Sequence, residues 1–145
     1  MRIGFTGTRL GMNDAQLRKL RTLLAELLHA DATKSGSEFH HGDAPGADAQ
    51  AHDVAVALGY EPVVHPPLIG TARGGKLAER MRTPRPPLKR NRDIVHHSEL
   101  LIAAPAEPIE QLRSGTWSTV RFARKLGRSV WVILPDGEVR RERSG

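Results

Sequence analysis

The 145-residue sequence contains no cysteine. That excludes disulfides, thiolate nucleophiles and cysteine-based zinc sites, and it suits a cytoplasmic location. Aromatic residues make up only 4%, which counts against base stacking as a way to hold single-stranded nucleic acid. Long apolar runs are missing too. No stretch approaches the roughly 20 residues a membrane helix needs, so no membrane partner is expected. Met1 to Phe5 enter a strand pattern at once, which reads against a signal peptide. The histidines His40, His41, His65, His96 and His97 show no metal-ligand spacing, and no metal is expected.

What is present fits a globular domain: 39% hydrophobic and 26% charged residues. One domain over residues 1–135 is expected, with residues 136–145 as a polar tail that frays. The net charge of +6 favours anionic partners. It is unevenly placed. Between Thr71 and Arg92 there are eight bases and one acid, so this segment carries +7 and the remainder −1. Residues 68–87 within it are rich in glycine and proline and read as a long basic loop.

Periodicity sets the elements. Arg2 to Thr6 is an apolar strand, and Asn13 with Gln16 forms a capping-box pattern before a helix from Asp14 to about Ala30. Ser37–His41 is a second strand and Ala47–Leu58 a second helix stopped by Gly59. Tyr60–His65 is a third strand, placed at an edge by Pro62. Leu88–His97 reads as a helix and Glu99–Ala103 as the fourth strand; a helix after Ser114 and a strand at Ser129–Leu134 follow. Alternation of this kind predicts an α/β fold: a Rossmann-like open parallel sheet of about five strands, order 3-2-1-4-5, with helices on both faces.

In such a sheet ligands bind beyond the carboxyl ends of the strands, where strand order reverses. The loops there are Gly7-Thr8-Arg9, Gly42 to Asp48, His65-Pro66-Pro67, and Ala104-Pro105 leading to Ser114-Gly115-Thr116. The last is a small-residue turn at a helix start, where free amides and the helix dipole favour an anion. Gly7 and Gly115 are expected to allow close backbone approach, and Arg9 to bind phosphate bidentately. Arg90, Asn91 or Arg92 would close over the ligand. Gly42 and Gly46 are turn glycines or part of the ligand loop. Asp43 is a solvated turn residue or a ligand for a ribose hydroxyl. Asp48 stabilises the second helix's dipole, or pairs with His52 four residues on for proton transfer or as a structural bond. Trp117 reads as packing.

These segments resemble a known group. Arg113-Ser114-Gly115-Thr116 through Gly127-Arg128 and Val130 to Pro135 is similar to the closing motif of DNA-processing protein A. His41 to His52 resembles that family's Gly-Ile-Asp-x-x-Ala-His segment, and Gly4 to Arg9 its first-strand Gly-Ser-Arg. By these three segments, in order, the chain is identified as a member of the SLOG superfamily. That group also holds the Lonely Guy phosphoribohydrolases and molybdenum-cofactor carriers; the small stand-alone YspA-like branch is the most similar. The resemblance implies a nucleotide-type ligand and a homodimer or higher homo-oligomer. It places Gly7, Thr8, Arg9, Gly42, Gly46, Asp48, Ser114, Gly115 and Thr116 on motif positions. The phosphoribohydrolase glutamate falls on Thr119, which cannot stabilise an oxocarbenium-like centre as a carboxylate does.

The expectation is therefore a protein that binds a nucleotide or nucleotide-derived phosphorylated ligand as sensor, carrier or sequestering module, with no certain cofactor. One alternative is an N-glycosidic or phosphoester hydrolase using Asp43 or Asp48. Another is single-stranded DNA binding through the basic segment.

Overall fold

The computed structural model describes residues 1–31, 36–68 and 72–143. The elements are β1 (Arg2–Gly7), α1 (Asp14–Ala30), β2 (Glu38–His41), α2 (Ala47–Leu58), β3 (Glu61–Val64), β4 (Arg80–Met81), α3 (Pro87–His96), β5 (Leu100–Ala104), α4 (Gly115–Lys125), β6 (Ser129–Ile133) and β7 (Val139–Glu142). They form one seven-stranded sheet, order β4-β3-β2-β1-β5-β6-β7. β1 to β6 pair in parallel and β7 returns antiparallel to β6.

The strand period of two puts both faces of the sheet to use. Leu100, Ile102 and Ala104 of β5 enter one apolar cluster with Leu20 and Leu24 of α1 and Ala51 and Ala55 of α2. Leu101 and Ala103 point the other way, into a cluster with Val95 of α3 and Trp117 and Val120 of α4. A strand buried on both sides is what a parallel sheet under two helical layers requires. α1 begins at the expected capping box: Asn13 Oδ1 accepts from Gln16 N at 2.9 Å and Gln16 Oε1 from Asn13 N at 3.2 Å. The Gln16 amide also donates to Pro105 O at 2.8 Å and Ile133 O at 3.0 Å, tying α1 to the ends of β5 and β6.

The expected five strands stand in the expected order, as β3-β2-β1-β5-β6. The strand count is larger by two. β4 is two exposed residues, too short to leave a periodic signal. β7 forms where a fraying tail was expected. Arg124 holds Glu142 through Nε and Nη2 at 2.6 and 2.8 Å, and Arg141 lies 4.4 Å from the Trp131 ring centroid. The charges of Val139–Glu142 have partners on the fold, so a polar sequence makes an ordered edge. Pro62 is not on an edge strand. It precedes the short β4 pairing, where β3 has a neighbour on one side only, so its missing N–H leaves no gap in the ladder. The basic loop is not structureless: it holds β4 and a bridge between Pro67 and Arg85, while its residues 69–71 lie outside the described residues. Among the described residues no helix is long and apolar enough to cross a membrane.

Candidate functional site

Strand order reverses between β1 and β5, which lie side by side. A cleft of about 490 Å³ opens there. It is lined by the β1–α1 turn (Thr6 to Leu10), the start of α2 (Ala44, Asp48), the start of α3 (Pro87, Leu88, Arg90, Asn91) and the β5–α4 loop (Ala106, Glu107, Ser114 to Thr116).

The β1–α1 turn is set by Thr8. Its N–H donates to Ala104 O at 3.0 Å, its carbonyl accepts from Gly11 N and Ala47 N, and its hydroxyl accepts from Leu10 N at 3.1 Å. This leaves Arg9 exposed, with no acidic partner among the described residues. Gly46 closes the turn from below at φ +82°; a Cβ there would sit 2.6 Å from the Arg9 carbonyl carbon. Gly7 has a packing role as well: a Cβ would meet Ala47 Cβ at 2.5 Å. Gly115 is different. Its Cβ position meets nothing within 4 Å, so the cleft stays open above it.

At the α4 start Ser114 is the N-cap, its hydroxyl accepting from Trp117 N at 3.2 Å and its carbonyl from Ser118 N at 2.9 Å. The Gly115 and Thr116 amides precede the first intrahelical donor and have no acceptor among the described residues. Thr119 donates its hydroxyl to Gly115 O at 2.9 Å and stiffens the same turn.

The two candidate carboxylates have different roles. Asp43 is fully buried at φ +52° and faces away from the cleft. Its oxygens accept from Arg73 Nε (3.0 Å), Arg73 Nη2 (2.9 Å), Gly75 N (3.2 Å) and Lys76 N (2.9 Å). It is neither a solvated turn residue nor a free ligand for a hydroxyl; it fastens the basic loop to the fold. Asp48 lies on the cleft. Its Oδ2 accepts from Gly42 N and Ala44 N at 3.2 and 3.1 Å. Its Oδ1 is buried with no hydrogen-bond partner. Burial pushes its pKa up to about 6, against the two amides and the Arg90 charge, which favour the anion.

Asp48 does not bond to His52. His41 Nδ1 accepts from Asp43 N at 3.0 Å, so His41 carries its proton on Nε2 and gives it to His52 Nδ1 at 2.8 Å. Burial, then the charge of His52, pushes His41 down to about 3 and keeps this pair neutral. A second pair, His40 and His65, meets at 2.8 Å.

Arg90 is a strut rather than a closing arm. Its guanidinium lies where a Gly42 Cβ would be, bonds Gly42 O and His65 O through Nη1, and bonds Asn91 Oδ1 at 2.8 Å through Nε. Arg92 stands over the Phe122 ring at 5.1 Å, in a neighbouring hollow. Half of the basic segment's eight cations are paired internally: Arg73 with Asp43, Lys76 with Asp53, Arg80 with Glu38 and Arg85 with Asp93.

Nine expected site residues thus line one cleft: Gly7, Thr8, Arg9, Asp48, Arg90, Asn91, Ser114, Gly115 and Thr116. Gly42, Asp43 and Gly46 support it from behind. Sequence reasoning missed Thr6, Leu10, Ala44, Pro87, Leu88, Ala106 and Glu107. For Glu107 the one available signal was its place just after a strand end.

No family model and no curated protein matches the chain. Solved structures do. The molybdenum cofactor binding protein from Rippkaea orientalis shares 20% identity at TM-score 0.67, over 92% of this chain and 76% of that one. DNA processing protein A from Helicobacter pylori shares 23% at TM-score 0.63, over 91% of this chain and 64% of that one. The Streptococcus pneumoniae protein of that name shares 17% at TM-score 0.62, over 90% of this chain, which spans 49% of it. At these identities the likeness is one of fold: this chain is a Rossmann-like α/β protein.

Proposed function

We propose that the chain binds a nucleotide or nucleotide-derived phosphorylated ligand in the cleft between β1 and β5. One observation carries this reading. The unpaired Gly115 and Thr116 amides and the unpaired Arg9 guanidinium share a cleft with a buried carboxylate oxygen that also lacks a partner. Amides at a helix start favour a phosphate, and Arg9 adds a fork of donors. The fold relatives support it: one is a molybdenum cofactor binding protein, and another is described by its single-stranded DNA binding mode. The internal pairing of the basic segment favours a small ligand in the cleft over a nucleic-acid strand along that segment.

The protein is further proposed to assemble as a homo-oligomer; Ile109 and Leu112, on the loop that carries Glu107, are 73% and 87% exposed. Native mass spectrometry reads both subunit number and any retained ligand. Calorimetry with nucleoside monophosphates tests the binding itself. Dissociation constants below about 1 mM, near −4 kcal/mol, are expected. No binding in that range rejects the reading.

A further inference from the structure

The cleft is not uniformly built for an anion. Beside the donors stand two carboxylates, the buried Asp48 and the half-buried Glu107. A bare phosphate gains nothing from either. Asp48 is the more telling, because a buried polar atom without a partner costs about 1–3 kcal/mol and native folds rarely leave one. Its Oδ2 is fixed by the Gly42 and Ala44 amides, so the side chain cannot turn to hide Oδ1. The backbone on either side is fixed as well, by Asp43 on the basic loop and by Gly46 beneath Arg9. The orphan acceptor is therefore held in place on a residue that lines the same cleft as the phosphate donors.

Resting on the binding reading above, we propose that Asp48 is the specificity-determining residue of the cleft: its Oδ1 accepts a hydrogen bond from a sugar hydroxyl of the phosphorylated ligand. The ligand class is then a ribonucleotide-type phosphoester with its ribose hydroxyls free, and a deoxy or dideoxy sugar is discriminated against. A site built to hydrogen-bond a hydroxyl rejects the analogue that lacks it, because the buried acceptor is left unpaired. The bond is charge-assisted, so it belongs to the ionised form of Asp48. The charged groups that share its surroundings are Arg90 from α3, Arg9 from the β1–α1 turn, Asp43 from its own loop and Glu107 from the β5–α4 loop.

The test is calorimetry at pH 7.5 with inorganic phosphate, AMP and 2′,3′-dideoxy-AMP. The last two differ only in the hydroxyls. AMP is expected to bind at least tenfold more tightly than the dideoxy analogue. In Asp48→Asn the two loop amides retain the side-chain carbonyl and an NH₂ replaces Oδ1, so the ratio falls below about threefold. The wild-type protein supplies a second readout: the ratio shrinks at pH 5, where Asp48 is protonated, while phosphate titration is common to both ligands and cancels. Equal affinities for AMP and the dideoxy analogue overturn the proposal, as does a gap unchanged in Asp48→Asn or at pH 5. Failure of all three ligands to bind overturns the binding reading itself, and this one with it.

Discussion

Gly46→Ala is the most incisive perturbation of the cleft, because it touches the loop behind the site and no proposed ligand contact. Gly46 sits at φ +82°, ψ −116°, a region closed to residues with a Cβ. Forcing alanine there costs of order 1–3 kcal/mol in backbone strain. The new Cβ would also lie 2.6 Å from the Arg9 carbonyl carbon and 2.8 Å from Gly11 N. Both are backbone atoms of the β1–α1 turn, which cannot swing aside as a long side chain could. Overpacking of this kind adds about 1–3 kcal/mol. The sum, about 2–6 kcal/mol, lowers the melting temperature of a domain this size by about 5–15 °C. Relief requires the Arg9 turn to move away from α2, so phosphate or AMP affinity should fall at least tenfold in the protein that remains folded. Thermal unfolding followed by circular dichroism reads the first effect and calorimetry the second. Gly115→Ala is the control: its Cβ meets nothing within 4 Å, so stability holds while the open floor of the cleft is obstructed. A Gly46→Ala protein that melts within about 2 °C of wild type and binds equally well would refute the account of the turn.

Asp43→Ala leaves Arg73, Gly75 N and Lys76 N without their shared acceptor. Stability should drop by about 1–3 kcal/mol, and trypsin should cut at Arg73 and Lys76 much faster than in wild type; unchanged cleavage would show the loop is held otherwise. Asp48 has its folded pKa raised from 3.8 to about 6, so the folded state holds the proton longer and this group's contribution to stability falls as pH rises through that window. Urea denaturation of Asp48→Asn should therefore gain about 2 kcal/mol relative to wild type between pH 4 and pH 7, and a flat difference would refute the burial argument. His41 acts in the opposite sense: its folded pKa, lowered from 6.5 to about 3, means stability is complete above pH 6.5 and is lost as pH falls toward 3. His41→Gln should flatten that acid limb. If single-stranded DNA binds at all, the few cations of the basic segment without an acidic partner should give a salt slope of about −2; a slope of about −5 or steeper would show that the internal ion pairs open.

The parts legible in the sequence were those whose cause is local. A capping box, a leucine stripe and a terminal glycine state their own helix, so α1 and α2 follow from neighbours in the chain. The alternation of apolar runs with such helices is enough to order the five central strands. β4 and β7 were not legible because their partners are remote: Arg124 and Trp131 give the charged 139–142 segment a place to lie, and neither is visible in its own pattern. The same division runs through the site. The Ser114 turn carries its amides by local geometry, so its position in the cleft could be expected. The work of Asp43 depends on a loop thirty residues away, and that of Gly7 on the Ala47 methyl. Arg90 looked like a free cation because two of its acceptors, the Gly42 and His65 carbonyls, become neighbours only when α3 docks.

The contrast between Asp43 and Asp48 shows how the fold separates structure from binding. They lie five residues apart, Asp43 in the β2–α2 loop and Asp48 in the first turn of α2, and both are buried. Asp43 is surrounded by donors from the basic loop until its acceptor capacity is filled. A side chain so engaged can hold a chain segment but cannot greet a ligand. Asp48 receives two amides on one oxygen and nothing on the other. Had burial alone mattered, an apolar residue would serve better at the start of α2, since an unmet acceptor weakens the fold. An unmet acceptor does have a use where a ligand supplies the donor: the free energy withheld from folding becomes available to binding, and only to a ligand with a hydroxyl in the right place. On this view the raised pKa of Asp48 and the selectivity of the cleft have one physical origin, the burial of a carboxylate with one oxygen that folding leaves unpaired.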